Sequence, residues 1–167
     1  NNTAVGYQAG YTNTTNSYNV FLGYQAGYTS NYNGNGFNTC VGVQAGYSLT
    51  TGRGNTFIGG ASTSSGYYVT TGNNNTILGG YTGNQGNLDI RTASNYIVLS
   101  DGDGNPRGYF DDAGQFWVKN ADVNAVCFKG YATSASFAGI VVDVFADRNT
   151  TNGSFNAYRY YNVTAGE

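Results

Sequence analysis

The chain has no histidine, no methionine, a single proline and two cysteines in 167 residues. Charge is as scarce as it is uneven. Arg53 is the only charged side chain before Asp89, and the other fifteen lie from Asp89 onward. Without histidine there is no Ser-His or Cys-His nucleophile pair. A carboxylate pair for glycoside cleavage could come only from the part beyond Asp89. The candidates there are Asp111 with Asp112 and Asp143 with Asp147, and turn chemistry or a solvated strand face accounts for both pairs. The expectation is therefore a protein that is not an enzyme and carries no cofactor. A net charge of −2 with no basic run argues against nucleic acid as a partner, since clustered Lys and Arg are what hold a phosphate backbone. No apolar run is long enough to span a bilayer as a helix, so no membrane insertion is expected. Cys40 and Cys127 lie in different segments. Cys40 reads as a small buried hydrophobe, ahead of a disulfide or a metal ligand.

Glycine (26) and tyrosine (16) are abundant, and both recur in a pattern. A short head opens at Asn2, Asn19, Asn38, Asn55, Asn75 and Asn95, at spacings of 17, 19, 17, 20 and 20 residues. The first copies read Asn2-Thr3-Ala4-Val5-Gly6-Tyr7-Gln8-Ala9-Gly10-Tyr11 and Asn19-Val20-Phe21-Leu22-Gly23-Tyr24-Gln25-Ala26-Gly27-Tyr28. Later copies keep the head and vary the tail, and in the sixth Leu99 takes the place of the glycine. One strand-like head per short unit predicts an all-β chain, a β-solenoid or β-roll with each unit one rung.

The third and fourth places of every head are both apolar: Ala4/Val5, Phe21/Leu22, Cys40/Val41, Phe57/Ile58, Ile77/Leu78 and Ile97/Val98. Consecutive side chains on a strand point to opposite faces, so both faces of the ladder are apolar. A free-standing roll needs only one apolar face. Something must cover the second, and the simplest cover is another copy of the chain, giving a homotrimeric fibre.

The change in charge divides the chain into a β-roll shaft (1–94), a β-hairpin or meander connector (95–119) and a small C-terminal β module (120–167). The connector holds two turns rich in Gly, Asp and Asn, with Phe116 and Trp117 as its anchors. The spacing of Asp101, Asp103 and Asn105, with Asp112 beyond, has some of the character of a calcium loop. However, Pro106 stands where that loop needs glycine, and turn formation explains the same residues. In the last module, strands are expected over 125–132, 139–148 and 155–163, the last two forming a hairpin. With no initiator methionine and an end at Glu167 soon after a strand-like run, the chain reads as a piece of something longer.

Tyr11, Tyr28 and Tyr47 fall at one place in three rungs, and Tyr7 and Tyr24 at another, which predicts tyrosine ladders at a rung spacing of about 4.8 Å. The ladders are first of all structural. Exposed tyrosine on an uncharged, Asn-rich surface also suits sugars, so Tyr11, Tyr28 and Tyr47, with Tyr158 and Tyr160 in the last module, are the candidate ligand-binding residues. Thr3, Thr39, Thr56 and Thr76 form a further row that raises ice binding as an outside reading, interrupted at Val20 and Tyr96.

The heads Asn2-Thr3-Ala4-Val5-Gly6 and Asn55-Thr56-Phe57-Ile58-Gly59, with the Gln-Ala-Gly-Tyr tails, resemble head repeats of trimeric autotransporter adhesins and repeats of bacteriophage tail fibres. The stretch Asn95-Tyr96-Ile97-Val98-Leu99-Ser100-Asp101-Gly102, with Gly108-Tyr109-Phe110-Asp111 and Trp117, is similar to tail-fibre sequence. So is the run from Phe128-Lys129-Gly130-Tyr131 onward, which looks like the region preceding a self-cleaving chaperone in such fibres. The resemblance covers nearly the whole chain, although the rungs are longer than in adhesin heads. It implies an extracellular, trimeric virion appendage that attaches to host-surface polysaccharide. A bacterial surface adhesin and a polysaccharide-cleaving tailspike are the alternatives.

Overall fold

The first five repeat heads each form a strand of three residues and the sixth a strand of four, cut short by what flanks them. Gly23, at the corner after the second head, has φ of 137°, and a Cβ there would lie 2.4 Å from the carbonyl oxygen of Gly42. Only glycine lets the chain turn this closely against the next rung. The computed structural model describes residues 1–60 and 62–118. Its elements are β1 (Thr3–Val5), β2 (Val20–Leu22), β3 (Thr39–Val41), β4 (Thr56–Ile58), β5 (Thr76–Leu78), β6 (Ile97–Ser100), β7 (Pro106–Phe110) and β8 (Phe116–Val118). They form one sheet in chain order. Strands β1 to β6 pair in parallel and in register, as the rungs of a β-solenoid. Strands β7 and β8 continue the same sheet antiparallel.

Inside, three columns make the core. Phe21, Cys40, Phe57, Ile77 and Val98 descend from the strands. Ala26, Ala45, Ser65 and Tyr81 form a second column, and Ser30, Leu49, Val69 and Ile90 a third, all of them buried. Cys40 is a free thiol within the first column, where loss of water pushes its pKa up to about 12. That is the small hydrophobe expected of it. Tyr81 fills the second column with a ring and donates its hydroxyl to the Leu88 carbonyl at 2.6 Å.

The asparagine that opens each head explains itself. Asn19, Asn38, Asn55 and Asn75 are buried. The Oδ1 of Asn2, Asn19, Asn38 and Asn55 accepts the backbone N–H of the next head asparagine at 2.9–3.0 Å. Asn75 does the same for Tyr96 at 2.9 Å. The amide nitrogens of Asn38, Asn55 and Asn75 donate across their own rung to the carbonyls of Gly52, Gly72 and Ala93. A buried amide is tolerated only when its polar atoms are satisfied, and this column satisfies them rung by rung.

The sixth head is displaced by one residue from the sequence alignment. Thr76 pairs with Ile97, Ile77 with Val98 and Leu78 with Leu99. Tyr96 therefore stands in the asparagine's place, Val98 points inward, Leu99 points outward, and Ser100 rather than Leu99 replaces the corner glycine. The side-chain hydroxyl of Ser100 takes part there, accepting the Tyr81 N–H at 3.0 Å. The sheet runs without a break across residue 95, because β6 is both the last rung and the first strand of the meander. The C-terminal module 120–167, with its expected strands, Cys127, Asp143, Asp147, Tyr158 and Tyr160, lies outside the described residues.

Candidate ligand-binding and assembly surfaces

With the third place of each head turned inward, the second and fourth point out. The fourth-place row is Val5, Leu22, Val41, Ile58, Leu78 and Leu99, and all but the half-buried Val41 are exposed. Beside it runs Thr3, Val20, Thr39, Thr56, Thr76 and Ile97, so the threonine row is interrupted at Val20 and Ile97, not at Tyr96. Cross-strand partners share a face. Phe110, paired with Ile97, and Phe116, paired with Phe110, thus prolong the apolar surface onto the meander, their rings 4.8 Å apart. No charged residue lies on β1 to β6. An unbroken apolar surface of this kind is what an interaction face looks like.

The tyrosine ladders form as the spacing predicts. Tyr11, Tyr28 and Tyr47 stack at 5.2 and 4.9 Å, with planes 6° and 7° apart, and Tyr7 stacks on Tyr24 at 5.6 Å. Tyr67 extends the first ladder at 5.0 Å and 4°. The repeat phrase conceals this fourth member, because its tail reads Ser64-Ser65-Gly66-Tyr67 in place of Gln-Ala-Gly-Tyr. The stacking has a chemical consequence. Both ring faces of Tyr28 and Tyr47 are covered by their neighbours, so these residues offer solvent ring edges and hydroxyls, not a stacking platform. Desolvation first, and then the neighbouring phenols, raise the pKa of Tyr28, which keeps it a neutral hydrogen-bond donor. Gln8, Gln25 and Gln44 make a parallel amide column, each Nε2 donating to the preceding Oε1 at 2.8 and 3.0 Å.

The acidic turns are occupied by turn chemistry. Asp101 Oδ1 accepts the backbone N–H groups of Asp103 and Asn105 at 3.1 and 2.9 Å, while Oδ2 meets the Arg107 guanidinium. The Asn105 N–H is the main cause that holds the Asp101 carboxyl down to about 2. Asp111 accepts from Ala113 and Gln115 through Oδ1, and from the Trp117 indole N–H at 2.7 Å through Oδ2. That indole bond, ahead of the backbone ones, lowers the Asp111 pKa. Among the described residues, no group of three or more His, Cys, Asp or Glu side chains is placed to hold a metal ion.

One concavity escaped the sequence. A groove of about 260 Å³ is lined by Tyr68, Thr70, Asp89, Arg91 and Thr92. Asp89 and Arg91 form a two-pronged ion pair in its lining, Nε to Oδ1 at 3.0 Å and a terminal nitrogen to Oδ2 at 2.7 Å. The Arg91 guanidinium lowers the Asp89 pKa. The only hint in the sequence is the doublet Tyr67-Tyr68, which puts an aromatic residue where the earlier tails have Thr12, Thr29 and Ser48.

No protein-family model, curated protein or solved structure matches the chain. Among the described residues, no helix is long and apolar enough to cross a membrane.

Proposed function

We propose that this chain is a structural and adhesive segment of a trimeric attachment fibre of the bacteriophage tail-fibre kind, in which the solenoid is the rigid shaft and tyrosine-rich surfaces contact host glycans. The observation that carries this reading is the continuous aliphatic row Val5, Leu22, Val41, Ile58, Leu78 and Leu99, which lies on the outside of a solenoid whose inner columns are buried. Three copies that face this row toward a common axis remove it from water, and each buried aliphatic contributes about 1.5–3 kcal/mol. Threefold repetition then turns weak sugar contacts at each chain into firm attachment. A bacterial trimeric surface adhesin shares the same assembly and is the second reading, supported by the same row.

The test is the mass of the chain in solution by sedimentation or light scattering. Three times the mass of one chain supports the fibre. A stable monomer overturns it and leaves the threonine and aliphatic rows as a free face of a single-chain solenoid, for which thermal hysteresis is the next measurement.

A further inference from the structure

Within the ladder, Tyr28 and Tyr47 have both ring faces covered by their neighbours. One tyrosine breaks that pattern. Tyr68 stands at 81° to Tyr67, with centroids 4.8 Å apart, at the end of the ladder. The ladder rings lie face to face along the solenoid axis, so a ring turned by this angle presents its faces sideways, and Tyr68 is 49% exposed. Its ring is therefore oriented differently from the ladder rings and, unlike them, lines the groove.

Tyr68 lines the groove, and the groove is held rigidly. Tyr68, Val69 and Thr70 alternate outward, inward, outward on one rung, and Asp89, Ile90 and Arg91 do the same on the next, with Val69 and Ile90 fully buried between them. The two rungs are tied where the Thr70 N–H and hydroxyl both donate to the Arg91 carbonyl, at 2.8 and 3.2 Å. Of the five donors of a guanidinium, two reach Asp89. The others, with the outer lone pairs of the carboxylate and the Thr92 hydroxyl, belong to residues that line the same groove as Tyr68. Earlier rungs carry Thr29 with Asn31 and Ser48 with Thr50 at these places, so both the ring and the ion pair are departures from the repeat confined to this spot.

We infer that the groove lined by Tyr68, Thr70, Asp89, Arg91 and Thr92 is a carbohydrate subsite that takes one neutral hexose or N-acetylhexosamine unit, stacked on Tyr68 and hydrogen-bonded by the Asp89–Arg91 pair. Neutrality follows from the pair itself, whose charges cancel and which has no excess of either sign to attract a sialic or uronic acid. A volume of about 260 Å³ suits one ring rather than a long oligosaccharide. This inference rests on the glycan-binding part of the proposed function.

The experiment presents the full chain to an array of neutral oligosaccharides alongside sialylated and uronic-acid glycans, and compares it with Tyr68→Thr, Tyr68→Trp and Arg91→Ala. Tyr68→Thr restores the residue of earlier rungs and keeps the fold, which a thermal melt checks. Retention of neutral glycans that falls about tenfold in Tyr68→Thr, falls in Arg91→Ala, and survives in Tyr68→Trp is the expected result. Neutral-glycan retention that ignores both Tyr68→Thr and Arg91→Ala overturns the groove and leaves the adhesive reading standing. Preference for acidic glycans overturns the neutral-sugar assignment. Retention of no glycan at all removes the adhesive reading together with the groove.

Discussion

Phe57 and Ile58 are chain neighbours, equally apolar, on the same three-residue strand. One is fully buried and the other 40% exposed. The same split runs down the ladder: Phe21 against Leu22, Ile77 against Leu78, Val98 against Leu99. Burying the first member of each pair completes a core within one chain. The second member packs only along its own row and stays partly exposed, and an apolar residue kept there in every rung is the pattern of a surface that another surface covers. On the proposed assembly, inner row and outer row divide two tasks that share one chemistry: folding and association.

Substitutions on the two rows test that division. The largest effect is expected for Phe57→Ala, which empties the middle of the inner column and costs about 3–5 kcal/mol of stability by denaturant titration. Asn55→Ala comes next. It strips the N–H of Asn75 of its acceptor, and loss of its own amide leaves the Gly72 carbonyl unpaired, at about 1–3 kcal/mol. On the outer row, Ile58→Ser combined with Leu78→Ser is expected to change the stability of a single chain by no more than about 0.5 kcal/mol per site. The same pair lowers the mass of the assembly in sedimentation. A double variant that unfolds the chain while leaving the mass of the surviving fraction unchanged breaks the division of tasks. The smallest effect is on acidification. A carboxylate whose folded pKa is depressed stabilises above its unfolded value and loses that contribution as pH falls through the folded value. Loss of the Asp101 contribution therefore weakens the meander from about pH 4 down to about 2, and the lowered pKa of Asp111 acts in the same direction. The shaft before Asp89, which has no acid, holds. Trp117 emission follows the first, and far-UV circular dichroism the second.

The shaft was legible because every rung asks the same thing of the same place. Asparagine, apolar pair and glycine recur, and the two-residue period of a strand assigns in and out. The sixth rung was misread for a specific reason. Ile97/Val98 and Val98/Leu99 are both apolar pairs, so alternation alone does not choose between them, while Tyr96 and Ser100 replace the two residues that mark the frame. The tyrosine ladder was legible in position but not in orientation: that its rings cover one another's faces follows only from their 4–7° planes. The groove was hidden because its walls come from rungs 21 residues apart and contain no repeated phrase.

Among the described residues, nearly every hydrogen bond between rungs joins residues about one unit apart, 14 to 22 positions along the chain. A rung therefore knows only its two neighbours. Inserting or deleting a whole unit changes the height of the solenoid by about 4.8 Å and leaves every other inner side chain beside the same companions. Reach becomes a countable, heritable quantity, adjustable one step at a time without redesign of what lies above or below.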